Sequence, residues 1–110
     1  MKSFNQKVAA ITGAGSGIGQ QLAILLAQQG ADLALSDVND QGLADTLSLV
    51  KQYPVNVTLT KLDVSNQKAM REWAENSFKD HGKINLIFNN AGVALASTVE
   101  GMSYEEMEWI

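Results

Sequence analysis

Apolar residues in this chain follow two patterns that alternate along its length: short unbroken runs, and longer stretches striped at helical spacing. Val8, Ala9, Ala10 and Ile11 form the first run, and the lack of polar alternation marks a strand covered on both faces. Ile18, Leu22, Leu25 and Leu26 then recur at i, i+4, i+7 and i+8, with Ala23 and Ala27 filling in, which predicts a helix stopped at Gly30. Leu33, Ala34 and Leu35 make a second buried strand within Asp32 to Ser36, ending at Asp37. A helix from Asn39 to Gln52 carries Leu43, Leu47 and Val50 on one side, is broken by Tyr53-Pro54, and is expected only to pack. Val55, Val57 and Leu59 alternate with Asn56, Thr58 and Thr60, closed by Leu62, so this strand is half-exposed and suits a sheet edge. Met70, Trp73, Ala74 and Phe78 stripe a third helix over Ser65 to Asp80, ended by His81-Gly82, and Ile84 to Phe88 reads as a fourth strand. Ser103 to Glu106 has the form of a capping box opening a last helix, with Met107 and Ile110 beginning its apolar face. Strand and helix in strict alternation predict an α/β fold built on a parallel sheet.

The candidate chemistry concentrates at the joint between the first strand and the first helix, TGAGSGIG from Thr12 to Gly19. A strand that enters a helix through several glycines brings backbone N–H groups close to an anion. The helix N-terminus there adds roughly half a positive charge, worth ~0.3–1 kcal/mol and up to ~2 when partly buried. Gly13 is assigned to the tight turn, Gly17 to close approach of a pyrophosphate, and Gly19 to close packing of helix on strand. Literal G-x-G-x-x-G does not fit, because three residues after Gly15 stands Ile18 and three after Gly17 stands Gln20, and no Gly-Lys-Ser/Thr closes a Walker loop. The pattern present is T-G-x-x-x-G-x-G. Asp37 lies close to twenty residues beyond the turn, where a dinucleotide fold places an acid to accept hydrogen bonds from the adenosine ribose hydroxyls. A 2′-phosphate at that point meets a like charge, costing about 4 kcal/mol at ~4 Å and an effective dielectric of ~20 before screening, so NAD is preferred over NADP. The structural alternative for Asp37 is an N-cap of the next helix.

Four motifs fall in register along the chain: T-G-x-x-x-G-x-G at the first joint, Asp37 after the second strand, Leu62-Asp63-Val64 after the third, and Asn89-Asn90-Ala91-Gly92 after the fourth. On these the chain resembles the short-chain dehydrogenase/reductase family over essentially its whole length. The resemblance implies a Rossmann-like, doubly wound parallel sheet of four strands in the order 3-2-1-4, with NAD as cofactor and a hydride moved between nicotinamide and a secondary alcohol or ketone. It implies cofactor contacts from Gly13, Gly15, Ser16, Gly17, Ile18 and Gly19 in the loop and from Asp37 at the ribose. Asp63 is expected to accept from the adenine amino group and Val64 to line the adenine pocket, with the start of the next helix as the alternative role for Asp63 and Ser65. Asn90, Ala91 and Gly92 are expected at the nicotinamide half and at the sheet centre. Ser16 and Val38 stand where NADP-preferring relatives often carry Arg or Lys. Family members place their catalytic Ser and Tyr-x-x-x-Lys later in the chain. Here Tyr53 and Tyr104 are followed four residues on by Val57 and Glu108, so no catalytic residue is assigned. Residues 1–110 are therefore expected to be the cofactor-binding part of a single domain, with at most weak dinucleotide affinity and no hydride transfer alone.

Composition narrows the function further. The 110 residues, 45% hydrophobic and 18% charged with one proline, suit one globular domain. A net charge of -4 with only eight Lys and Arg, scattered, argues against nucleic acid as a partner. No cysteine occurs, and His81 has no second histidine to share a metal or a proton relay, so no metal site is expected. A polar start and no membrane-length apolar run give a soluble, cytoplasmic protein as the expectation. The apolar fourth strand, left at an edge if the sheet stops there, predicts that residues 1–110 alone self-associate or stay partly molten, and a homo-oligomer is expected of the intact enzyme. Two other classes stay open at this stage: a non-catalytic dinucleotide-binding or assembly module, and a nucleotide or flavin binder of another doubly wound family.

Overall fold

The computed structural model describes residues 3–90 and the backbone of 108–109. Its elements are β1 (Val8–Thr12), α1 (Gly17–Gln28), β2 (Asp32–Asp37), α2 (Asp40–Val50), β3 (Val57–Lys61), α3 (Gln67–His81), β4 (Leu86–Asn89) and β5 (Glu108–Trp109). All strand pairs are parallel, in the order β3-β2-β1-β4-β5, so the first four run 3-2-1-4 as expected.

The unbroken apolar runs serve both faces of the sheet because successive strand residues point to opposite sides. Ala9 and Ile11 of β1, Leu33 and Leu35 of β2, and Leu86 and Phe88 of β4 pack beneath α1 and α2 with Ala23, Leu26, Ala27, Leu43 and Val50. Ala10, Ala34 and Ile87 face the other way, against Met70, Trp73 and Ala74 of α3. Ile11 sits between Leu35 and Phe88 in the register and is wholly buried, and full burial of a side chain of this size contributes about 1.5–3 kcal/mol.

Boundaries move where side chains compete for the backbone. Asn39 and Asn66 are the N-caps of α2 and α3, accepting from Gly42 N and Ala69 N, both at 3.0 Å. Ser65 does not cap: it lies one residue before the N-cap position that Asn66 occupies, and its hydroxyl donates to Asp63 Oδ1. β4 begins at Leu86, two residues later than the apolar run suggests: Asn85 Oδ1 accepts from Val8 N at 2.9 Å, while Ile84 is buried against the α3 face. On the edge strand β3, Val57 reaches the core but Leu59 stays 37% exposed. The helix expected from Ser103 is corrected at its end. Residues 103–107 lie outside the described residues, and Glu108–Trp109 instead pair in parallel with Leu86 and Ile87. That pairing occupies part of the outer edge of β4, whose backbone N–H and C=O groups would otherwise lack a strand partner, so β4 is not the bare edge expected.

Candidate functional site

The carboxyl ends of β1, β2 and β4 bring the predicted residues to one end of the sheet. From β1 the chain steps outward to β2 and β3, then crosses back to β4 on the other side of β1, which makes the gap between β1 and β4 the topological switch point. The glycine loop stands at its mouth. Gly13 and Gly17 have φ of 66° and 55°, a region most side chains avoid, and they turn the chain from β1 into α1. Gly19 answers a different demand: a Cβ there would lie 2.0 Å from the carbonyl oxygen of Gly13 and 3.1 Å from Ala14 Cα. The helix therefore presses on its own entry loop, rather than on the strand as the sequence suggests.

The N-terminus of α1 differs from those of α2 and α3. Asn39 and Asn66 cap α2 and α3 with their side chains, whereas Ser16 makes no capping hydrogen bond and the first turn of α1 carries no acid. Ser16, Gly17 and Ile18 are exposed, Ile18 at 70%. Donor groups and the positive end of the helix dipole are thus left open to an anion.

Asp37, at the end of β2 and half-buried, accepts from Gly15 N through Oδ2 at 2.8 Å and from Asn39 N through Oδ1 at 3.0 Å. Its carboxylate joins the glycine loop to the turn before α2 and does not cap the helix, a task that falls to Asn39. Val38 beside it is 57% exposed. Lys61, the register partner of Asp37, turns to Asp40 at 3.6 Å; with both side chains exposed, the pair contributes little, ~0–1 kcal/mol.

Asp63 lies just beyond β3 and is exposed. Its Oδ1 accepts both the Ser65 hydroxyl, at 2.7 Å, and the Ser65 amide, at 2.9 Å. The hydroxyl, and after it the amide, hold the Asp63 carboxyl below the usual aspartate range. A carboxyl depressed on folding favours the folded state above its unfolded pKa, and the advantage fades as pH falls through the folded value. Ser65→Ala is expected to move the Asp63 titration upward in a carbon-detected NMR pH series. An unmoved titration would show that the hydroxyl is not the cause. Val64 packs half-buried against the α3 core, which limits how much of it is open to a base.

At the end of β4, Asn90 Nδ2 donates to the Gly13 carbonyl at 3.3 Å, and Thr12 Oγ1 donates to Asn89 Oδ1 at 3.4 Å, tying the loop to β4 across the switch point. A cavity of about 270 Å³ opens beside them, lined by Leu22, Phe88, Asn89 and Asn90. Ala91 and Gly92 lie outside the described residues. His81 Nε2 is 2.9 Å from Thr58 Oγ1, joining the end of α3 to β3. Among the described residues no group of three His, Cys, Asp or Glu could hold a metal ion, and no helix is long and apolar enough to cross a membrane.

The motifs do not reveal the part played by α2. Thr46, wholly buried, donates to the Ala14 carbonyl at 2.7 Å and accepts from Gln20 Nε2 at 3.0 Å. The available signal is a polar residue on the helix's apolar stripe, three beyond Leu43 and four before Val50.

A family model described as short chain dehydrogenase matches residues 7–110. The protein SadH of Mycobacterium tuberculosis is 41% identical over all 110 residues, and cyclohexanol dehydrogenase of an Acinetobacter species is 38% identical over 90 residues, or 82% of the chain. The chain spans only 40% and 36% of these two relatives. Among solved structures, NAD+-bound xylitol dehydrogenase superposes with a TM-score of 0.80 at 37% identity, covering 84% of this chain and 35% of its own. Carveol dehydrogenase from Mycobacterium avium in complex with NAD also gives 0.80, at 27% identity, over 98% of this chain and 42% of its own.

Proposed function

We propose, from the premise that this chain belongs to the short chain dehydrogenase family, that its described residues form the diphosphate and adenosine-ribose half of an NAD site in an oxidoreductase acting on a secondary alcohol or ketone. The observation that carries the proposal is the 2.8 Å bond between Gly15 N and Asp37 Oδ2, which sets an acceptor for sugar hydroxyls beside the open amides of α1. The residues present suit the cofactor. Open space surrounds the Cβ position of Gly17, where a phosphate would approach, and no side chain competes for the first-turn amides.

When bound, the nicotinamide ring supplies the hydride acceptor or donor. The chain's own residues bind and orient. The uncapped backbone N–H groups of the first turn of α1, from Gly17 to Gly19, hold the diphosphate, Asp37 accepts from the ribose diol, and Asp63 and Val64 border the adenine. Asn90, held to the Gly13 carbonyl, flanks the nicotinamide side. Each oxygen of Asp37 already takes one amide hydrogen and keeps a lone pair for a hydroxyl, so the carboxylate is oriented before the sugar arrives. That alignment lowers the ordering cost of binding. The proton step is assigned to no residue of this chain.

The NAD preference rests on the same carboxylate, since a 2′-phosphate beside Asp37 repels it. In a calorimetric titration NAD is expected to bind about tenfold or more tighter than NADP. Absence of NAD binding would sink the proposal, and equal affinity for the two would sink the stated preference.

A further inference from the structure

Helix α2 touches the glycine loop where the loop touches Asp37. A Cβ on Gly42 would stand 2.7 Å from the Gly15 carbonyl oxygen and 3.1 Å from Gly15 Cα. A Cβ on Gly15 would stand 2.9 Å from Asp37 Oδ2 and 3.1 Å from the Gly42 carbonyl carbon. Loop, helix and carboxylate therefore meet with no side chain between the two backbones. One turn further along the same face of α2, Thr46 Oγ1 donates to Ala14 O at 2.7 Å.

These two contacts bear on a single peptide unit. The Ala14 carbonyl and the Gly15 N–H belong to one planar trans amide, and they point in opposite directions. Thr46 holds the carbonyl end and Asp37 accepts from the N–H end, at 2.7 and 2.8 Å. Fixing one end aims the other. The Thr46 hydroxyl is itself fixed, because Gln20 Nε2 donates to it at 3.0 Å, so its own hydrogen is directed at Ala14 O.

We propose that Thr46 and Gly42 are positioning residues of the dinucleotide site: Thr46 sets the rotation of the Ala14–Gly15 peptide, Gly42 leaves the room for it, and together they hold Asp37 in place to distinguish NAD from NADP. This rests on the NAD-binding reading above. Neither residue touches the cofactor. Both act through the Gly15 N–H and the Asp37 carboxylate.

The test compares NAD and NADP dissociation constants by calorimetry for the unaltered protein, Thr46→Val, Thr46→Ser and Gly42→Ala, each at a temperature where thermal melting shows it folded. Thr46→Val is expected to weaken NAD about tenfold, equivalent to about 1.4 kcal/mol, with little change in NADP, so that the preference narrows by the same factor. Thr46→Ser keeps the hydroxyl and is expected to restore it. Gly42→Ala is expected to narrow the preference in the same way. A role in stability alone would lower the melting temperature and leave the ratio where it was. If the unaltered protein binds no NAD, the parent reading falls and this one with it. If it binds NAD and folded Thr46→Val loses both cofactors in equal proportion, or neither, only the positioning role falls. Should Thr46→Val and Gly42→Ala fail to fold, Gln20→Ala at a half-buried site loosens the same hydroxyl and is expected to narrow the ratio about threefold. An unchanged ratio there overturns the proposal as well.

Discussion

Gly19→Ala is expected to lower the melting temperature by roughly 10–20 °C, against the helix propensity of the two residues. Inside a helix, exchanging glycine for alanine ordinarily gains about 0.5–1 kcal/mol. Here the new methyl would fall 2.0 Å from Gly13 O and 2.7 Å from Gly13 C, both backbone atoms, so no rotamer change can relieve the clash. The Gly13 carbonyl is also held from the β4 side by Asn90 Nδ2 at 3.3 Å, which restricts its retreat. Either α1 lifts from the loop or the loop leaves its place at the end of β1, and overpacking of this kind costs about 1–3 kcal/mol or more. Gly17→Ala provides the contrast. Nothing lies within 4 Å of its Cβ position, so the penalty is the positive φ of 55° alone, about 1–2 kcal/mol and confined to the turn. Thermal unfolding followed by circular dichroism should rank unaltered protein, Gly17→Ala and Gly19→Ala in that order. A Gly19→Ala protein that melts at or above the unaltered one would show that the close approach of α1 to its entry loop is wrong.

The features legible in the sequence are those set by local rules. An unbroken apolar run and a 3.6-residue stripe each declare an element and its exposure, so β1, β2, α1, α2 and α3 appear where the pattern places them, with ends shifted by a residue or two. The glycine joint is equally local, because a turn from strand to helix with positive φ needs residues without a Cβ. Contacts between elements distant in sequence were not legible. Gly42 looks like an ordinary weak point in a helix until Gly15 is brought against it, and Thr46 looks like a blemish on an apolar stripe until Ala14 supplies its acceptor. Asp63 shows the same limit from the other side: the sequence places it correctly just past the end of β3, but in the fold one of its oxygens is engaged twice by Ser65. The outer edge of β4 depends on pairing with Glu108–Trp109, which no periodicity near Ser103 announces.

On the NAD-binding proposal, Asp37→Ala is expected to weaken NAD about 100-fold while NADP binding changes little or improves. Two losses act on NAD. The ribose diol loses its charged acceptor, and hydrogen bonds to charged groups contribute about 1.5–3 kcal/mol. The Gly15 and Asn39 amides lose their shared partner, so the loop and the turn before α2 are no longer joined through one carboxylate. About 2.7 kcal/mol in total corresponds to the 100-fold expected. NADP suffers the second loss but is relieved of the repulsion between its 2′-phosphate and the carboxylate. At ~4 Å and an effective dielectric of ~20 that repulsion is about 4 kcal/mol before screening, and Asp37 is only half-buried, so salt reduces it. The decisive quantity is therefore the ratio of the two dissociation constants, measured at low and at physiological ionic strength. Asp37→Asn separates charge from shape: it keeps the size of the side chain and one acceptor oxygen, so it should recover part of the NAD affinity without restoring discrimination against NADP. If Asp37→Ala weakens both cofactors equally, the carboxylate only braces the loop, and the choice between NAD and NADP must be made elsewhere in the site.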